Sequence, residues 1–408
     1  MKCGLLGRKL GHSYSPQIHS NLGDYPYVLF EKEPEEIEDF LKNGDFTGIN
    51  VTIPYKKEVI PYLDELTPTA RKMGAVNTVV RRADGTLLGH NTDHFGFASM
   101  VRRSGLDVTG KKALVLGSGG ASNTAVAVLQ DLGARVVIIS RSGENNYENL
   151  HLHADASVIV NTTPVGMYPN VGTSPVDLAR FPKLEGVLDV VYNPARTQLL
   201  LDAEKLDIPA ENGLWMLVAL AKESAEYFTG NPISDSMIAH IHRKLSAQMQ
   251  NIVLIGMPGC GKSTIGNMLS KKLERKFVDA DAEIVRLAGK PIPLIFAEDG
   301  EEVFRQWETR ALAEQGKQSG LIIATGGGCV TRQRNYPLLH QNGTVFWLQR
   351  SLDTLPTEGR PLSQANKLAD MYAVRKPMYE AFTDFCVDNN GSADDTVAAI
   401  LAKLEESI

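Results

Sequence analysis

The chain has 408 residues, 43% hydrophobic and 22% charged, with 36 glycines, 20 prolines and a formal net charge of −6. That composition excludes collagen, coiled coil and wholesale disorder. It predicts two to four domains at about 100–200 residues each, with no basic footprint for nucleic acid. No apolar run approaches the roughly 18 residues of a membrane span, and Met1–Gly7 lacks the apolar core of a secretory signal. Four widely spaced cysteines, Cys3, Cys260, Cys329 and Cys386, fit a reducing compartment and neither a disulfide framework nor a zinc site. The expectation is a soluble cytoplasmic protein with small-molecule partners and no membrane or nucleic-acid partner.

In chain order, three segments read as strand, glycine turn and helix. Lys2–Gly7 leads through Gly11–Ser15 to a helix opening at Pro16, with Ser15 a candidate N-cap. Asp93 is a second candidate cap, for a helix His94–Arg103. Lys112–Leu116 runs into Gly117–Ser122 and a helix stopped by Gly133, and Arg135–Ile139 follows at once, so a βαβ unit is expected. An amphipathic helix over Ile233–Met249 closes the first part. The third segment, Asn251–Ile255, enters Gly256–Ser263 and a helix through Lys272. Strands alternating with helices throughout predict an α/β protein with parallel sheets. The domain boundary falls near 249. His151 and His153, like His240 and His242, read as surface histidines.

Gly256-x4-Gly261-Lys262-Ser263 matches the phosphate-binding loop, with a strand before it and a helix after it. Its glycines let backbone N–H groups surround phosphate oxygens; Lys262 would reach the β/γ-phosphates and the Ser263 hydroxyl would bind Mg²⁺. Beyond it come Asp279 and Asp281, with Asp281 also a candidate cap for a helix Ala282–Ala288. Then follow Gly300–Arg305, the run Ala324–Gly328, Gly359–Leu362 and Arg375–Tyr379. In this order and spacing, residues 250–408 resemble shikimate kinase. Gluconate kinase shares the loop but not the set. The resemblance implies ATP binding by Gly259, Cys260, Gly261, Lys262, Ser263, Thr264 and a lid arginine, Arg360. It implies magnesium at Ser263 and Asp279, and shikimate held by Asp281, Arg305, Gly327 and Arg375. Asp281 would help deprotonate the substrate hydroxyl. The lid stretch, Ser351–Val374, is short.

In the first part, Gly117-x-Gly119-Gly120 departs from the dinucleotide fingerprint at its third position, where Ser122 stands. The next strand ends in Ser140, Arg141 and Ser142, a basic and hydroxylated ending that suits a 2′-phosphate and favours NADP(H) over NAD. Polar stretches stand in apolar surroundings at Ser13–Pro16, Asn50–Lys57, Gly74–Thr78, Asn91–Asp93, Asn161–Met167, Asp189–Pro194 and Gly213–Leu217. Together these resemble shikimate dehydrogenase across residues 2–247. The resemblance implies a substrate pocket of Ser13, Ser15, Thr52, Asn77, Asp93 and Tyr192, with Lys56 transferring the proton and Asp93 its partner. It places the dinucleotide against Gly117, Ser118, Gly119, Gly120, Ala121, Ser140, Arg141, Val190 and Gly213. Leu220 stands where that family carries a substrate-binding glutamine.

The expected architecture is α/β throughout. A two-subdomain dehydrogenase occupies 1–248, with a substrate subdomain of 1–100 plus 214–248 and a Rossmann-like NADP-binding subdomain of 101–213. A P-loop kinase with a parallel sheet occupies 249–408. The expected function is bifunctional: NADPH-dependent reduction of 3-dehydroshikimate to shikimate, then Mg·ATP-dependent phosphorylation of shikimate. Two alternatives stand beside it, a quinate/shikimate-type dehydrogenase with a weak kinase half, and a shikimate-responsive sensor built from enzyme domains.

Overall fold

The computed structural model describes residues 1–11, 13–355 and 365–406. Contacts gather these into two compact units. One comprises Met1–Val165, Ser174–Tyr192 and Asp202–Arg243; the other comprises Gly166–Thr173, Asn193–Leu201 and the described residues from Lys244 onward.

The first unit holds two sheets. In the six-stranded sheet the order is Tyr27–Glu31, Cys3–Gly7, Gly48–Val51, Thr78–Arg81, Leu87–His90 and Glu65–Leu66. Cys3–Gly7 pairs in parallel with both neighbours, but Thr78–Arg81 runs antiparallel to Gly48–Val51 and to Leu87–His90. Thr78–Arg81 is thus reversed within an otherwise parallel sheet. The connection between Thr78–Arg81 and Leu87–His90 is a tight turn, with Gly85 at φ +87°, too short to hold a crossover helix. The second sheet, ordered Ala210–Asn212, Gly186–Asp189, Val158–Asn161, Lys112–Leu116 and Arg135–Ile139, is parallel throughout. Its strands are apolar runs because helices cover both faces of such a sheet. The expected βαβ unit is its heart, with a helix over Gly120–Asp131 and Gly133 at φ +82° after it.

The second unit is built on one parallel sheet, ordered Phe277–Asp279, Ile322–Ala324, Asn251–Ile255, Gly343–Gln349 and Phe385–Asp388. Asn251–Ile255 is central and wholly buried, and the helix Lys262–Leu273 follows it. A single residue, Gln250, separates that strand from the preceding helix Ser236–Met249. Arg196 is bound into this unit: its Nε donates to the His340 carbonyl at 2.8 Å and its Nη2 to the Gly343 carbonyl at 2.5 Å. Ala195 adds a backbone N–H to Asn342 Oδ1 at 2.9 Å.

Three expected caps are corrected. The helix Asp93–Ser104 includes Asp93, and its N-cap position is Thr92. Ser15 lies inside the short helix Ser15–His19, whose N-cap position is Tyr14. The helix Ala280–Ala288 is capped by Asp279, which accepts the Asp281 N–H at 3.0 Å. His242 also differs from a surface residue. It packs on Trp215 with ring centroids 5.4 Å apart, and burial pulls its imidazole down to about 4. Among the described residues no helix is long and apolar enough to cross a membrane.

Candidate active sites

Strand register brings the polar stretches of the first unit to one edge of the mixed sheet. Cys3–Gly7 and Gly48–Val51 end side by side, so the loop carrying Ser13 and the short helix that starts at Ser15 follow beside Thr52. Because the next strand is antiparallel, its first residue, Thr78, lies opposite Asn50, and His90 lies opposite Thr78. Asn77 and Asp93 therefore reach the same edge. There Lys56 Nζ lies 2.6 Å from Asp93 Oδ2, with the two side chains 30% and 13% exposed. Asn77 Nδ2 donates to the other carboxylate oxygen at 2.9 Å. The pair is sheltered enough to be strong and open enough to meet a substrate. Ser13 Oγ accepts the Ser15 N–H at 3.2 Å. Tyr192 meets Tyr14 edge-on, with centroids 6.1 Å apart. Burial pushes the Tyr192 phenol up, so it stays a hydrogen-bond donor near neutral pH.

On the parallel sheet, Gly117 turns at φ +111° and leads through Ser118 to Gly119, the N-cap position of the helix Gly120–Asp131. A methyl group at Gly119 or Gly120 would meet nothing within 4 Å, so the chain is open where a dinucleotide pyrophosphate would pass. No side chain caps this helix, and its first-turn N–H groups, Ala121 included, suit an anion. Ser122, the departure from the fingerprint, is buried, and its hydroxyl donates to the Gly117 carbonyl at 2.8 Å. Serine thus ties the loop to the helix. Ser140 and the exposed Arg141 sit in the turn after Arg135–Ile139. A Cβ on Gly213 would lie 2.0 Å from the Val190 carbonyl oxygen, which brings these two expected contacts together.

In the second unit a cavity of about 570 Å³ is lined by Gly259, Gly261, Lys262, Ser263, Thr264, Asp279, Asp281, Arg305, Gly327 and Arg375. Gly256, Gly259 and Gly261 all have positive φ, which curls the loop as a phosphate cradle requires. Cys260 is buried beneath it. Lys262 is 8% exposed and donates to the carbonyls of Gly256 and Met257 at 2.8 and 3.0 Å. Ser263 Oγ donates to Asp279 Oδ2 at 2.9 Å, an oxygen donor pair suited to magnesium. Across the cavity, buried Arg305 donates to Glu308 at 2.9 Å and Glu301 at 3.1 Å. Gly328 leaves room for the Arg305 guanidinium, since a Cβ there would lie 2.3 Å from Nη1 and displace it. Arg375 Nη1 donates to the Gly327 carbonyl at 3.1 Å. Arg360 lies outside the described residues.

Residues 5–79 match the family model described as shikimate dehydrogenase substrate binding domain. A shikimate dehydrogenase (NADP(+)) of Clostridium perfringens is 35% identical over 267 residues, covering 60% of this chain and 98% of its own length. The chain belongs to the shikimate dehydrogenase family. Among solved structures, shikimate dehydrogenase 1 from Peptoclostridium difficile is 38% identical with a TM-score of 0.55, over 60% of this chain and 98% of that one. A chorismate mutase/shikimate 5-dehydrogenase fusion protein from Clostridium acetobutylicum is 36% identical with a TM-score of 0.57, over 60% and 96%. Residues 258–405 match the shikimate kinase model. The protein is a bifunctional shikimate-pathway enzyme, a shikimate dehydrogenase continued by a shikimate kinase domain.

Two groups escaped the sequence reading. Glu308 lines the kinase cavity fully buried, and burial pushes its carboxyl up, with the Arg305 guanidinium opposing. Its spacing of three from Arg305 on a helix was the available signal. Behind the dehydrogenase pair, Asn50, Thr78, Thr92 and Ser224 form a buried polar cluster. Leu220 packs against the apolar cluster of the parallel sheet, so no amide stands at that position.

Proposed function

We propose that the first unit reduces 3-dehydroshikimate to shikimate with NADPH, and that the second transfers the γ-phosphoryl group of ATP to the shikimate hydroxyl so created. The Lys56–Asp93 contact of 2.6 Å carries the first reading. A ketone receiving hydride becomes an alkoxide, which needs a positive charge and a proton at that oxygen. Lys56 offers both, Asp93 orients it, and Ser13, Ser15, Thr52, Asn77 and Tyr192 supply the hydrogen bonds a polyhydroxylated ring requires. Gly117–Ala121, Ser140, Val190 and Gly213 would hold NADPH, which supplies the hydride when bound, and Arg141 would meet its 2′-phosphate.

For the kinase, Asp281 would accept the proton of the attacking hydroxyl, and Arg305 with Arg375 would fork the ring carboxylate. Lys262 would leave its own loop's carbonyls for the phosphates. Ser263 and Asp279 would hold magnesium, which neutralises phosphate charge when bound. Gly327 lets the substrate approach the backbone, and Arg360 would close over ATP. We place the halves at 1–248 and 249–408, working in the cytoplasm without nucleic acid. Two assays test this reading: NADP⁺ reduction with shikimate, and ATP-dependent formation of shikimate 3-phosphate. Failure of the first with the second intact would leave a kinase fused to a dehydrogenase-like binding module.

A further inference from the structure

Asn77 presents its amide nitrogen to the carboxylate that holds Lys56. That orientation is fixed from behind. Asn77 Oδ1 accepts the Thr92 backbone N–H at 2.8 Å and faces the hydroxyls of Thr92 and Thr78, each at 3.2 Å. A flipped amide would set two hydrogens against that N–H. Both threonine hydroxyls also face Ser224 Oγ, from 3.0 Å for Thr78 and 3.2 Å for Thr92. Ser224 spends its own hydrogen on the Leu220 carbonyl, at 2.9 Å, the usual outlet for a helix serine. Its oxygen is therefore left as an acceptor. One lone pair takes Asn50 Nδ2 at 2.7 Å, and Asn50 Oδ1 in turn accepts the Tyr27 hydroxyl at 2.8 Å. The other lone pair receives one threonine hydroxyl, which leaves the second free to point at Asn77.

Ser224, Thr78 and Thr92 are each 0% exposed, and Asn50 and Asn77 6% and 3%. Water cannot replace a lost member without a cavity to hold it. Ser224 stands on the helix Leu214–Thr229, whose buried positions are otherwise mainly apolar. A small apolar residue would satisfy packing there, so packing alone does not call for a hydroxyl. We propose that Ser224 is a positioning residue of the dehydrogenase: by accepting one threonine hydroxyl it leaves Asn77 Oδ1 with a single hydroxyl beside the Thr92 N–H, so that no third buried donor displaces the amide that aims Asp93, and through it Lys56. This rests on the reading of Lys56 as the proton-transfer group.

The test uses the full chain, with its kinase activity as an internal control. Ser224→Ala is expected to lower dehydrogenase kcat about tenfold, well within the roughly hundredfold that a 1 Å misplacement can cost. KM for NADPH and the kinase rate should stay unchanged. The nearly isosteric Ser224→Cys, a weaker hydrogen-bonding partner, should fall between the two, and it supplies the readout if the alanine variant does not fold. Unchanged kcat in the folded variant, with only a lowered melting temperature, overturns the proposal. A wild-type chain that leaves 3-dehydroshikimate unreduced overturns the assigned reaction, and this inference with it.

Discussion

Hydride delivery turns a neutral carbonyl into an alkoxide, so the Lys56 ammonium interacts more strongly with the transition state than with the ground state. Lys56→Ala should therefore lower kcat for 3-dehydroshikimate reduction by about 10²–10⁴-fold, the range for general acid–base groups. Shikimate affinity should change far less, which equilibrium binding measured beside turnover will show. Histidines set a different response. Burial pulls His19 down to about 3 and His242 to about 4, against an ordinary value of 6.5. Each is neutral in the fold and more easily protonated when unfolded, so its stabilisation is complete above about pH 6.5. It is lost as pH falls through the folded values. Melting temperature should therefore drop steadily from pH 7 to pH 4, and a flat profile would contradict these environments.

At the scale of elements, what was legible in the sequence is what one element carries by itself. The phosphate loop, its strand and its helix lie within one short run, and so do the polar stretches that supply Lys56, Asn77 and Asp93. Caps were misread by a residue or two. Thr92 and Asp279 hold the N-cap positions expected of Asp93 and Asp281, and only backbone geometry tells such neighbours apart. Ser224 was not legible at all, because its partners Asn50, Thr78 and Thr92 are joined to it only by the fold. The resemblance assigns Gly327 to the substrate, and its neighbour Gly328 makes room for the Arg305 side chain. Gly328→Ala should push the Arg305 guanidinium from its place between Glu301 and Glu308. Losing one charge-assisted hydrogen bond to substrate costs about 1.5–3 kcal/mol. KM for shikimate should therefore rise roughly tenfold or more in the kinase assay, while KM for ATP is little altered.

For the whole molecule, the contacts that bind the second unit reach back into the first part of the sequence. That unit includes Asn193–Leu201, and Arg196 holds the carbonyls of His340 and Gly343 where the strand Gly343–Gln349 begins. Hydrogen bonds from charged donors are each worth about 1.5–3 kcal/mol. Arg196→Ala, which loses two of them, should accordingly destabilise the kinase unit by about 3–6 kcal/mol, read as earlier loss of kinase activity on heating. A fragment starting at residue 249 should be weakened similarly. An unaltered inactivation temperature in both would remove this segment from the kinase fold. The central claim, that one chain carries out both steps on one ring, is tested most directly in a single vessel containing 3-dehydroshikimate, NADPH, ATP and magnesium. The wild-type chain should yield shikimate 3-phosphate, Lys262→Ala should stop at shikimate, and Lys56→Ala should leave 3-dehydroshikimate unconsumed. Phosphorylated product from the Lys262→Ala chain, or NADPH consumption with neither shikimate nor its phosphate formed, would contradict the account.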